Sequence, residues 1–423
     1  MSAAGHADAP DDRYATADEL GLMEGFPPPP DKRVDRSSLL KGPGNRWAYL
    51  NMRSLYPTAA VPTASAAIPL RKSIDGGIER LHIGHPESGE AVNMETWLKE
   101  TYTDAVVVMH GGEIVYERFL NGMHSHQPHQ MMSVTKSFAG LFGLMAVDAG
   151  LVEEDDAVRD VVPELRESGA FGDATFGQVL DMTNSMDFSE DYADPESGIV
   201  HYAIVLGLMP AVEGRSYAAS IYDYLPTLGK DRAHAHGEVF HYQTPKTDVV
   251  NWVTNRLTGQ SFQDAMSEYL WSKLGTDGET YVLLDKNGTL FAGGGLNATP
   301  YDLARFGSML LNDGRSPGGE VVVSPAVIQQ LADGGSRQAF SNGPNGKGLM
   351  GDGDWSYRAQ WWVRHTPGRE AFMALGVHGQ WIYIDLAHDV AIIKQSSQPV
   401  SSSDFFDAYN LNAWDAIIDR LSR

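Results

Sequence analysis

The sequence predicts an α/β plus all-α architecture, in which both ends of the chain build an antiparallel sheet flanked by helices and the middle forms an inserted helical domain. Three observations carry this. Two β-rich runs around a glycine pair form a hairpin near residue 110, and a helix apolar on nearly every side follows at residues 133–150. Strand patterns then give way to a long helical stretch and return only after residue 370, before a terminal helix. The expected division is an extended arm over 1–75, a sheet domain from 76–150 and 311–423, and a mainly helical domain over 151–310.

The elements follow in order. Residues 1 to about 75 are rich in proline, alanine and charge, include Pro27-Pro28-Pro29-Pro30, and lack sustained periodicity, as an arm laid on the body would. A short helix is expected over Met94-Glu95-Thr96-Trp97-Leu98. Asp104 to His110 and Glu113 to Phe119 flank Gly111-Gly112, the pattern of a tight hairpin. Ser133 to Gly150 is apolar nearly all round, which marks a helix buried on every side and stopped by glycine. Helical patterns dominate from about 155 to 310, as in Thr175 to Met182 and Asp248 to Val253. Strands return over 372–378, 381–385 and 390–394, and an amphipathic helix runs from Phe405 to Leu421.

Composition narrows the chemistry. Of 423 residues, 42% are apolar and 21% charged, a globular balance. A formal charge of −23 with no basic run repels nucleic acid and anionic membrane. The absence of cysteine removes disulfides and thiol catalysis, so covalent catalysis would use oxygen or nitrogen. The N-terminus MSAAGHADAPDDRYATADEL has no basic start leading into an apolar run, and no stretch reaches about 20 uninterrupted apolar residues. The expectation is a cytoplasmic protein without a membrane span.

The candidate chemistry starts at Ser133-Val134-Thr135-Lys136. Positions i and i+3 on a helix share a face with Cβ atoms about 5–6 Å apart, so the amine reaches the hydroxyl. A serine at a helix N-terminus sits beside free N–H groups and the positive dipole end, which favour a developing oxyanion. Burial would push Lys136 toward the neutral amine. A second match to the spacing, Ser38-Leu39-Leu40-Lys41, lies in the irregular arm, so context favours Ser133. The competing reading, in which Ser133 caps the helix and Lys136 extends toward solvent, stays open on residue types alone. Tyr242, just before the apolar helix near Asp248, is a candidate base if a cationic lysine lowers its phenol from about 10. It is otherwise a loop anchor. His124, His126 and His129, and likewise His234, His236 and His241, lack the spacing of a metal site, so neither metal nor cofactor is expected. Trp361-Trp362 sits where it could line a cleft or pack in the core.

The hairpin followed by MMSVTKSFAG, then LDMTNSMDFSEDYADP, FHYQTPKTD, FAGGGLNATPYDLARFGSML, RAQWW and GVHGQWIYID, resembles the class C β-lactamase-like serine hydrolases, and among these the 6-aminohexanoate-dimer hydrolases that cleave nylon oligomer amides. The resemblance covers about residue 45 to the end. It implies a β-lactamase/penicillin-binding-protein-like fold with the active site between the two domains. It implies Ser133 as acylated nucleophile, Lys136 as its partner and Tyr242 as general acid/base, with backbone N–H groups of Ser133 and Val377 as the oxyanion hole. Tyr192 matches a tyrosine that closes over the substrate. His378, Gly379, Gly293 and Trp362 fall at substrate-binding positions.

There are departures too. Tyr242-Gln243-Thr244 and His378-Gly379-Gln380 stand where class C β-lactamases carry Tyr-x-Asn and Lys-Thr-Gly. The stretch His201 to Met209, where the nylon-dimer enzymes place an acid, is apolar, and Gly293 replaces an asparagine. The expected substrate is therefore a small amide or ester with an uncharged or hydrophobic acyl group. A homodimer is the assembly left open.

Overall fold

The computed structural model describes residues 12–63 and 66–423; the first eleven residues, part of the segment read above for an export signal, lie outside the described residues. The main sheet has eight strands: β1 (Arg71–Lys72), β2 (Thr103–His110), β3 (Glu113–Phe119), β4 (Trp355–Arg358), β5 (Trp361–Arg364), β6 (Ala371–Gly376), β7 (Gln380–Asp385) and β8 (Val390–Ser396). Their spatial order is β4-β5-β6-β7-β8-β2-β3-β1. All neighbours run antiparallel except β1 beside β3. The β8–β2 pairing, from Val390 opposite His110 to Ser396 opposite Thr103, joins the two ends of the chain.

Six helices recur below: α1 (Met94–Glu100), α2 (Val134–Asp148), α3 (Gly198–Leu206), α4 (Pro245–Thr258), α5 (Pro300–Leu311) and α6 (Asp404–Leu421). The side-chain period of two in the strands splits the core into two layers. Val107, Met109, Ile382, Ile384 and Ile393 join Phe138, Phe306 and Met309 of α2 and α5. Val106, Val108, Tyr383 and Ile392 join Trp97 of α1 and Trp414 and Ile417 of α6. Sheet faces covered on both sides explain why β2 is buried at seven of its eight positions and carries the unbroken apolar run Ala105 to Met109 rather than an alternation. Truncating a fully buried anchor such as Trp414 to alanine would cost about 3–5 kcal/mol.

The middle of the chain is less regular than its periodicity predicts. Alongside α3 and α4 it holds short pieces such as Val158–Val161 and Phe176–Leu180, the latter closed by a capping box between Thr175 and Gln178. Helix α5, which falls in the segment expected to be helical domain, lies against β8, β2 and β7 of the main sheet. Its apolar stripe is covered mainly by the sheet, with Phe306 also against Phe138 of α2, ring centroids 4.5 Å apart.

A smaller sheet orders Thr58–Ala60, Tyr281–Leu283, Leu296–Ala298 and His129–Gln130. It draws three remote segments together: the arm, the loop before Ser133 and the glycine-rich loop at 292–295. The arm is held by buried polar contacts. Arg46 Nη1 meets Asp104 Oδ1 at 3.1 Å, and Asn45 Nδ2 donates to the carbonyls of Ser397 (3.1 Å) and Gln398 (2.6 Å). Asp104 also takes Ser397 Oγ at 2.6 Å and His129 Nε2 at 3.0 Å, so every buried charge there has partners.

Candidate active site

Ser133 stands at the N-cap of α2, yet its side chain caps nothing. Its hydroxyl is turned to Lys136, whose Nζ donates to Ser133 Oγ at 2.9 Å and to the Gly293 carbonyl. That settles the choice between a cap and a paired serine in favour of the pair. Met132, the residue before, holds a left-handed φ of 48°, so the turn into α2 is forced into a sparsely populated conformation. Ser133 is only 8% exposed.

Lys136 is fully enclosed, and burial lowers its amine to about 8, with the negative Glu190 and Asp248 pulling the other way. The direction matches the sequence expectation. Tyr242 does not: its phenol lies in hydrogen-bonding reach of Ser133, but burial holds it well above its ordinary value of 10, and the charge of Glu190 adds to that. The reason is geometric. Lys136 Nζ sits over the ring face, 5.2 Å from its centroid, where it meets the π system and not the oxygen. Burial thus favours the protonated phenol. Trp362 stacks on the ring at 5.5 Å and 27°, fixing its plane.

Glu190 is the residue that the sequence reading passed over. Its Oε1 accepts from Tyr192 Oη at 2.9 Å and from Thr244 Oγ1, and its Oε2 from the Thr244 N–H at 3.0 Å. Burial raises its carboxyl while Lys136 pulls it down. The signal lies in Glu190-Asp191-Tyr192 of the LDMTNSMDFSEDYADP block, two residues before the matched tyrosine. Tyr192 is 39% exposed, but its hydroxyl faces inward onto Glu190. Gln243 donates to the carbonyls of Met186 (3.1 Å) and Phe188 (2.7 Å), tying the Glu190 loop to the Tyr242 turn, and Thr244 stands at the asparagine position.

Val377, His378 and Gly379 form the turn between β6 and β7, with left-handed φ of 64° and 90° at His378 and Gly379. Gly376 allows this turn to approach the nucleophile, since a Cβ there would lie 2.5 Å from the Met131 carbonyl. His378 Nδ1–H donates to the Gln398 carbonyl at 2.7 Å, and burial drops its pKa to about 4, so it is neutral. Gln380 Nε2 donates to the Ser396 carbonyl at 2.6 Å and is turned away from the cleft. At Gly293 a Cβ would fall 2.6 Å from Thr244 Cγ2. The position therefore offers Lys136 a carbonyl and no side chain to a substrate.

The cleft has two halves that meet at Ser133, Tyr192, Val377 and Ser401. One, of about 420 Å³, contains Tyr242, Trp362, Gly379, Glu190, Asp404 and Asp407. The other, of about 340 Å³, is apolar. Ile199, Ala203 and Leu206 share one face of α3 and line it with Leu208 and Met209, while Tyr202 turns into the core, where its hydroxyl donates to Asp248 at 2.7 Å. The histidines scatter: His129 pairs with Asp104, His236 with Asp173, and His241 lines the polar half. Among the described residues no three metal-ligating side chains converge, and no helix is long and apolar enough to cross a membrane.

A beta-lactamase family profile matches residues 94–413. The chain is 35% identical over 359 residues to 6-aminohexanoate-dimer hydrolase of Paenarthrobacter ureafaciens, across 85% of this chain and 87% of that one. The solved structure of a candidate 6-aminohexanoate-dimer hydrolase from Bacillus anthracis superposes with a TM-score of 0.82 at 26% identity, covering 92% of this chain and 97% of that one. A penicillin-binding protein homologue from Caulobacter crescentus shares the fold, with a TM-score of 0.56 at 16% identity over 76% of this chain and 96% of that one.

Proposed function

The chain belongs to the beta-lactamase family of serine hydrolases, and from that premise we propose that it cleaves a linear amide or ester through an acyl-enzyme on Ser133. The observation that carries the reading is the pairing of Ser133 Oγ with Lys136 Nζ at 2.9 Å inside the cleft, with the Tyr242 phenol beside them.

The assignment of roles follows from protonation. With its amine lowered to about 8, Lys136 is neutral in part near physiological pH and fully so in mild alkali. In that state the contact reverses and Ser133 Oγ–H donates to the amine, which takes the proton as the oxygen attacks the carbonyl. The N–H groups of Ser133 and Val377 face the developing oxyanion. Tyr242, held protonated, gives its proton to the departing amine or alcohol and is restored from Lys136. Water then attacks the acyl-enzyme by the same path in reverse. No step calls on a metal or cofactor.

The similarity to 6-aminohexanoate-dimer hydrolase supports an amide of a linear acyl chain, while Ala203 and its neighbours argue against an ammonium at the end of that chain, because an apolar wall leaves a buried cation uncompensated. A penicillin carboxylate finds no lysine at His378-Gly379-Gln380. A fluorophosphonate probe with peptide mapping tests the nucleophile. Adduct on Ser133 in the native chain and none in Lys136→Ala is the expected result; adduct elsewhere, with Ser133 unmodified, overturns the reading. A panel of p-nitrophenyl esters, linear amides and nitrocefin should be turned over in that descending order of rate.

A further inference from the structure

The two halves of the cleft differ in charge as well as polarity, and the N-terminal arm causes the difference. Around the apolar half the charged side chains are Arg36, Lys41 and Lys136, and no described aspartate or glutamate lines it. The chain as a whole has 55 acidic residues against 32 lysines and arginines, so a wall without one carboxylate runs against composition. Lys136 is enclosed beside Ser133. Arg36 and Lys41 lie at the solvent end, both exposed. Neither forms an ion pair with a described residue. The Arg36 guanidinium lies 4.7 Å from the Tyr56 ring centroid and Nε donates to the Leu55 carbonyl at 2.7 Å, while Tyr56 Oη donates to the Leu208 carbonyl at 2.8 Å. The arm is thereby fastened to the apolar wall with its cations at the rim.

Orientation of a substrate follows from the proton donor. Tyr242 lines the polar half only, so the leaving group must lie there and the acyl chain in the apolar half. The polar half carries three acids, Glu190, Asp404 and Asp407, against one lysine, Lys347. Resting on the hydrolase reading above, we propose that Arg36 and Lys41 are specificity-determining residues, which select acyl chains that are aliphatic along their length and anionic at their far end. A carboxylate there meets two cations; Asp35, beside Arg36 in the chain, has its Oδ1 already accepting from Ser37 and Ser38. An ammonium meets repulsion.

The test uses three p-nitrophenyl esters of equal chain length, the monoester of adipic acid, the hexanoate and the 6-aminohexanoate. The carboxylate and ammonium esters both carry a charge into the cleft mouth, so their ratio of kcat/KM reports its sign. For the native chain the expected ratio favours the carboxylate by about tenfold, as two exposed charge contacts would give, and it shrinks with added salt. Arg36→Gln with Lys41→Gln should bring the ratio toward one. Arg36→Glu with Lys41→Glu should invert it, and thermal melting checks that both variants are folded. A native ratio at or below one, or a ratio unmoved by the charge reversal while the hexanoate is still hydrolysed, overturns the inference alone. Absence of turnover on all three esters by the native chain removes the hydrolase reading and this inference with it.

Discussion

If Lys136 is the base, the pH dependence of acylation is set by its burial. An ordinary lysine at 10.5 would be almost fully protonated at pH 7; enclosure beneath Ser133 brings it to about 8, a differential destabilisation of the ammonium of about 3 kcal/mol. The sign follows directly. The competent form is the neutral amine, so kcat/KM rises with pH and levels above about 8. Below that midpoint it falls tenfold per unit, leaving roughly a hundredth of the plateau at pH 6. Tyr242, held above its ordinary value by burial, predicts no alkaline decline up to pH 10. The assay is kcat/KM for p-nitrophenyl hexanoate, which carries no charge of its own, from pH 5.5 to 10. Asp248 and Glu190 both face Lys136 and favour its charged form. Asp248→Asn should therefore move the acid limb to lower pH. A bell with a histidine-like limb near 6.5, or a limb that Asp248→Asn leaves in place or raises, would refute the assignment of Lys136 as base.

Ser133→Ala should abolish turnover, with a change in stability within about 1 kcal/mol by chemical denaturation, because the side chain caps nothing and only a small polar group is lost. Tyr192→Phe should reduce amide cleavage more than ester cleavage on matched substrates, since esters have the better leaving group; equal losses would refute a role at the scissile bond. Gly293→Asn should lower stability by about 1–3 kcal/mol and weaken activity, as its Cβ would collide with Thr244 and disturb the carbonyl that holds Lys136. Unchanged melting and rates would show that the loop yields freely.

The parts of this molecule that were legible in the sequence are those whose information is local. The hairpin expected at 104–110 and 113–119 is found at Thr103–His110 and Glu113–Phe119 because Gly111 and Gly112 accept the left-handed φ of 59° and 72° that a two-residue turn needs. The mostly apolar run from Ser133 is α2, enclosed between α4 and the sheet. Less visible was anything decided by distant partners. The small sheet pairs strands of two or three residues, too short for a periodic pattern, and β4 and β5 were met only as a motif containing Trp361-Trp362. Helix α5 has an ordinary amphipathic stripe, and nothing in that stripe says whether a sheet or a helix will cover it.

The site divides along the same line. Ser133 and Lys136 are one helical turn apart, so their pairing is a local fact that sequence spacing can state. The protonation of Tyr242 is not local: it depends on whether a lysine 106 positions earlier approaches the ring face or the oxygen, and the structure places it over the face. A charge above the π system leaves the phenol dominated by desolvation, which is why the proposed mechanism gives Tyr242 the donor's part and Lys136 the base's. Glu190 was hidden for a related reason. An acid two residues before an exposed tyrosine looks solvated, yet Thr244, brought across by the Gln243 contacts to Met186 and Phe188, joins Tyr192 in enclosing its carboxylate. Two departures from the familiar motifs are thus coupled: threonine at 244 holds the acid, and glycine at 293 makes room for that threonine. Restoring any one family residue alone should break this arrangement and fail to recover the family's substrate.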